Sequence, residues 1–175
     1  MATAITGISS ASTATVQGWA TADIAVTTTT EMSALTSAQV AVMSTTQVAA
    51  ITSDGVASLS TTTISTLSVD QIFGMITAQI AALKTSQVVS LSTTQVAGIE
   101  TTDLAAMTTA QVVALTTSQS AALTTAQVVA MGTTQVSSLT TAQVAAFTTA
   151  QVASLETEDV AAITTAQVKA FTTEQ

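Results

Sequence analysis

The sequence predicts an all-α fold: a narrow solenoid of very short capped helices, one per eight-residue repeat. Three observations predict it. The chain repeats with a period of eight, two positions of the octad are apolar almost throughout, and a helix-start signature recurs in most cycles. The register is defined on Thr140 to Phe147, "TTAQVAAF", numbered 1 to 8, and holds from Ala4 to Phe171 without insertion or deletion. It yields 21 octads and a final "TTEQ".

Position 1 or 2 is the predicted cap. Ser or Thr at position 1 followed by Gln at position 4, as in Thr108 to Gln111, is the capping-box pattern in which a hydroxyl and an amide satisfy each other's backbone N–H. Position 2 is Ser or Thr in 19 of 21 octads, which leaves the two positions as alternatives. All ten carboxylates fall at positions 1, 3 or 4, where the positive end of a helix dipole favours them. The predicted helix therefore covers roughly positions 2 to 8.

Positions 5 and 8 form the predicted core. Position 5 is apolar in 20 of 21 octads, with Ser120 the exception, and position 8 is large and apolar in the last 18, from Leu35 to Phe171. On one unbroken helix an eight-residue repeat would rotate this stripe by about 80° per octad, winding it around the helix. The helix must therefore break every cycle. Position 7 is Ala, Ser or Gly in 18 of 21 octads, which predicts close approach of a neighbouring coil. Position 6 accepts Gln17, Phe73 and Lys169, as a rim position would. Two aliphatic side chains do not offset the entropy of ordering eight backbones, so an octad must be stabilised by stacking on others.

A β-solenoid, with Thr and Val in ladders, is the structural alternative. Its tight corners recruit Gly, Asn or Asp, whereas this chain has no Asn and six Gly scattered over positions 1, 4 and 7.

The pattern divides the chain into a divergent N-terminal stretch, 1–27, and a regular tract, 28–175. The first stretch has Ala11, Trp19 and Thr27 at position 8 and reads as a cap, a docking segment or drifted repeats. Within the regular tract, 52–76 loses Gln at position 4 twice, at Gly55 and Thr63, and carries Phe73. It is expected to be a kink or neutral drift rather than a binding spot. The acidic triplet Glu156, Glu158 and Asp159 has a calcium site as its chemical alternative, but a solvated first helical turn accounts for it.

Composition excludes several classes of function. Lys84 and Lys169 are the only cations against ten carboxylates, a net charge of -8 that opposes nucleic acid as a partner. No apolar run is long enough to span a membrane, because polar blocks interrupt each within eight residues. Without His, Cys, Arg or Tyr the usual bases, nucleophiles and oxyanion clamps are mostly absent and the remaining Ser and Thr belong to the repeat, so no enzyme, metal site or cofactor is expected. The internal methionines sit at positions 5 and 8, where packing accounts for them better than haem ligation. The N-terminus has no cationic region and no continuous apolar stretch of a secretory signal, so export would use another route.

The phrase "LTTAQVAA", Leu139 to Ala146, resembles octapeptide-repeat tracts of large bacterial surface or secreted proteins, adhesin-like, haemagglutinin-like or haem-utilisation. The likeness covers 28–175 and implies an extracellular or cell-surface structural or adhesive role. "LTTAQVVAM", Leu123 to Met131, also resembles the opening of a TAL-effector repeat, but the likeness ends after about nine residues and the charge opposes DNA.

The last octads, "TTAQVKAFTTEQ", are as regular as the interior, so the expectation is that another coil, from a continuation or another subunit, covers them. The expected function is a subunit of a bacterial extracellular filament or fibrous surface layer, with the protein itself as head-to-tail partner and the cell surface or matrix as a further one. A stalk that spaces an adhesive domain from the cell is the alternative. Ice binding through ranked position-2 threonines is a third.

Overall fold

In the computed structural model, which describes residues Met1–Gln175, every octad from the second to the twenty-first contains one α-helix of four to six residues. The first octad instead forms a 3-10 turn, Ile8–Ser10, entered through Gly7 in a left-handed conformation (φ 67°). No strand forms, so the helical solenoid and not the β-solenoid describes the chain.

The helix cap lies at position 1. In the Thr141–Ala146 helix, Thr140 is extended (φ -70°, ψ 156°) and its side chain accepts from the Gln143 backbone N–H. Phe147, at position 8, is already extended again (φ -61°, ψ 143°). The helices thus cover positions 2 to 6 or 7, and in the last of them, Thr165–Val168, positions 2 to 5, shorter than the predicted span. Position 8 leaves the helix because an extended residue there and another at position 1 are what turn the chain into the next octad.

Helices this short do not persist in water. Their packing supplies the stability. The chain divides into two compact units, Met1–Leu91 and Ser92–Gln175. In the first, the Ser53–Ser58 helix packs against Thr29–Ser33 before it and Thr77–Ala82 after it, both three octads away. In the second, Thr141–Ala146 packs against Thr117–Ala122 and Thr165–Val168 at the same spacing. Within each unit the chain therefore closes one solenoid coil after three to four octads.

The core of each coil is built from positions 5 and 8. In the first unit Val40, Val48 and Ile72 are buried beside Met43, Ile51 and Met75; in the second Val128, Val136 and Val144 are buried beside Met131, Leu139 and Phe147. Position 6 lies at the rim, with Phe73, Val113 and Val129 exposed. Position 7 meets position 2 of the octad three earlier. A Cβ on Gly74 would lie 3.0 Å from the Thr45 Cβ, and the Ser90 hydroxyl donates to the Thr61 carbonyl at 3.2 Å. The small residues predicted for position 7 are set by this approach.

One core position breaks the rule. Ser120, at position 5, is fully buried and its hydroxyl has no hydrogen-bond partner. Removing that hydroxyl removes its desolvation penalty. Ser120→Ala is therefore expected to stabilise the protein by about 1–2 kcal/mol, read as a rise in the midpoint of denaturant unfolding.

Candidate functional site

The face by which one coil meets the next carries the most consistent chemistry in the molecule. Its centre is the glutamine at position 4. This side chain sits in the first helical turn, yet Gln79, Gln87, Gln127 and Gln143 are all buried. Burial of a primary amide is costly unless its oxygen and nitrogen are both satisfied.

Gln143 shows how that is done. Its Oε1 accepts from the Thr140 backbone N–H at 2.8 Å, completing the capping box with the Thr140 hydroxyl. Its Nε2 then donates to two carbonyls, Val112 and Leu115, each at 2.8 Å. Those residues are positions 5 and 8 of the octad four earlier. The same clasp is made by Gln71 on Val40 (2.9 Å) and Met43 (2.7 Å), and by Gln127 on Val96 (2.9 Å) and Ile99 (2.7 Å). One side chain therefore starts a helix and ties it to the C-terminal end of a helix in the preceding coil.

Of the carbonyls it reaches, Val112 already accepts from the Leu115 N–H at 3.2 Å and takes the amide on its second lone pair, while Leu115 is the residue just past the helix. Facing an N–H on one side and carbonyls on the other, the amide has one orientation that satisfies every group. The clasp also works without the hydroxyl cap. At Ile76, Lys84 and Gly132 no side chain caps the helix, but Gln79, Gln87 and Gln135 still accept from the position-1 N–H at 2.9, 2.7 and 3.1 Å.

The sequence pattern identified Gln as a capping partner and placed it on the polar half of the octad. It missed the second contact. The overlooked signal was the choice of amide over acid: a capping box accepts Glu equally well, and the dipole favours it, but only Gln supplies donors for the preceding coil.

Departures from Gln are informative. In the loosened stretch 52–76 the octad register and helices continue, but Thr63 makes a single bond to the Leu35 carbonyl at 3.2 Å. Gly55 contributes no side chain, and a Cβ there would lie 2.8 Å from Ile51 Cγ2. In the first four octads position 4 is Gly7, Thr15, Asp23 and Glu31. Here the chemistry reverses: Asp23 accepts from the Thr3 N–H at 2.8 Å and Glu31 from the Ile8 N–H at 3.4 Å, while the Thr27 hydroxyl accepts from Ile5 at 2.9 Å. The segment from Thr3 to Ile8 thus lies across the first coil as a hydrogen-bonded cover.

The acidic triplet is split by burial. Glu156 and Glu158 are exposed, whereas Asp159 occupies position 4 and is buried, with Oδ2 unpartnered. No cluster of acidic side chains is arranged to hold a metal ion. Burial raises the Asp159 carboxyl above its ordinary value of 3.8, helped by Glu156 and Glu158 and opposed by a backbone hydrogen bond from Glu156. The folded state therefore holds the proton to higher pH than the unfolded state. Stability from this site is fully present below the ordinary carboxyl range and is lost as pH rises through the folded value. Asp159→Asn is expected to raise the melting temperature at neutral pH, with the gain shrinking as the pH falls below that value. An equal gain at all pH values would contradict this assignment.

The model of the ALTTAQ repeat matches residues 29–61, 48–85, 96–133, 128–157 and 152–175, more than three-quarters of the chain. The chain belongs to the ALTTAQ repeat family. The motif stands intact at Ala122 to Gln127, where it spells positions 7, 8, 1, 2, 3 and 4. In structural terms an ALTTAQ unit is the small contact residue, the core residue, the cap, the first two helical residues and the clasping glutamine. No curated protein and no solved structure is significantly similar to the chain. No helix of this ALTTAQ protein is long and apolar enough to cross a membrane.

Proposed function

We propose that this ALTTAQ repeat protein is a structural element of the bacterial cell exterior, a spacer whose reach is set by its number of octads. The observation that supports the reading is the glutamine clasp. It commits the same side chain of octad after octad to holding one coil on another, and it depends only on the repeat itself. A length-setting element needs this property, because octads can be added without redesigning their neighbours. The cell-surface setting rests on the resemblance of "LTTAQVAA" to tracts of bacterial surface proteins.

A filament subunit is the second reading. Val160 and Val168 stand at core position 5 and are 56 % exposed, a surface that a further coil, of a continuation or of another copy, would cover. Head-to-tail stacking would have to bring a face with amide donors against them. The first coil offers Asp23 and Glu31 at the clasp positions, already engaged by residues 3 and 8. A second copy therefore has to displace that cover before it can stack.

Insertion of four further octads of the Thr140 to Phe147 type into the second unit tests the spacer reading. The expected product is a monomer whose maximum dimension, by small-angle scattering, increases by a fixed step with each insertion. Fibres of uniform width in electron micrographs would instead support the filament, and an unchanged dimension would overturn the spacer.

A further inference from the structure

Three departures from the octad pattern meet in one place. Gln17 is the only glutamine at position 6, Trp19 is the only tryptophan in the chain, and Val42 occupies position 7, where Ala, Ser or Gly is the rule. All three line a surface groove of about 420 Å³, together with Thr21, Ser44 and Thr46 and with Gln47 as its seventh lining residue. This groove is chemically individual.

The groove combines one indole, two carboxamides and three hydroxyls, with no charged side chain. Gln17 is exposed and Trp19 is half-buried. Gln47 is held firmly, its Nε2 donating to the Val16 and Trp19 carbonyls at 3.0 and 2.9 Å and its Oε1 accepting from the Ser44 N–H at 2.9 Å. The Ser44 and Thr46 hydroxyls are bonded to each other at 2.9 Å, which orients them as a pair. The volume is within the range of small-molecule sites.

We propose that this groove binds a hexose unit of a neutral saccharide. A pyranose ring has an apolar face of C–H bonds and a rim of hydroxyls. The indole supplies a flat apolar surface for the first, and the Gln17 carboxamide and the Thr21, Ser44 and Thr46 hydroxyls supply donors and acceptors for the second. Gln47, its amide committed to Val16, Trp19 and Ser44, holds the lining together. Charge selects against the anionic relatives. A sialylated, uronate-bearing or phosphorylated sugar would find no cation in the lining and a protein of net charge -8 around it.

Trp19 is its own reporter, because no other tryptophan contributes to the emission. The full chain is titrated with neutral oligosaccharides built from glucose, galactose, mannose and N-acetylglucosamine, and with a sialylated oligosaccharide. At least one neutral sugar is expected to give a saturable shift of the emission, and the sialylated one none. Trp19→Leu installs a residue that position 8 uses elsewhere; it is expected to keep the wild-type melting temperature and to lose saturation-transfer NMR signals from the sugar. Gln17→Ala removes an exposed side chain without touching the core and is expected to weaken binding by about tenfold. The proposal is overturned if no neutral sugar in the panel gives a saturable shift, if the sialylated one binds as well, or if both variants bind as the wild type does.

Discussion

Gln127→Glu is expected to destabilise the protein by about 3–5 kcal/mol at neutral pH, the cost of leaving a buried charge without its partner. The substitution keeps the shape of the side chain and one of its two functions. A carboxylate oxygen still accepts from the Thr124 N–H, which Gln127 Oε1 engages at 2.8 Å. The other oxygen then faces the Val96 and Ile99 carbonyls, which lie 2.9 and 2.7 Å from the present Nε2 donor. Repulsion replaces two hydrogen bonds in a site that is 1 % exposed. The pH dependence separates this from a general packing defect. A carboxyl placed there has its pKa raised, so stability returns as pH falls through the folded value and a protonated oxygen donates again. Chemical denaturation at neutral and acid pH measures both effects.

Leu139→Ala is expected to cost about 2–5 kcal/mol, the range for deleting a well-packed aliphatic side chain from a core. Leu139 is 4 % exposed at position 8. Its backbone carbonyl accepts from Gln167 Nε2 at 2.8 Å, and its N–H donates to the Val136 carbonyl at 3.2 Å. Both bonds survive the substitution, so the loss reports side-chain burial alone. The contrast is Val129→Ala at the exposed rim position, where a change within about 0.5 kcal/mol is expected. Because coils touch only their neighbours, the destabilised region should also exchange its amide protons fastest around the missing side chain.

How much of this was legible in the sequence differs from position to position. Val144 and Phe147 read as core because apolar residues recurring at a fixed spacing mark a stripe hidden from water, and both are buried. The helix start was legible to within one residue. Thr140 and Thr141 are chemically alike, and only the backbone decides that the first is extended and the second helical. The helix end was overextended because apolarity at position 8 says that a residue is buried, not that it is helical.

Two features were not legible. The number of octads per coil follows from the angles at positions 8 and 1, such as ψ 143° at Phe147 and ψ 158° at Thr148. Small errors in those angles accumulate over a coil, and no residue type encodes them closely enough. The clasp was hidden for a different reason. Gln143 already had a sufficient local role in the capping box, and that role concealed a contact 28 and 31 residues away. The Trp19 groove was visible only as irregularity in 1–27, since Gln17 and Val42 are separated in sequence and meet through coil packing.

The glutamine clasp is the central claim, and its most direct test is nuclear magnetic resonance of the side-chain amides. Scalar couplings across the hydrogen bonds from Gln143 Nε2 to the Val112 and Leu115 carbonyl carbons are predicted, with amide protons that exchange far more slowly than those of exposed Gln17. Gln143 amide protons that exchange as fast as those of Gln17, without coupling to either carbonyl, would contradict the clasp.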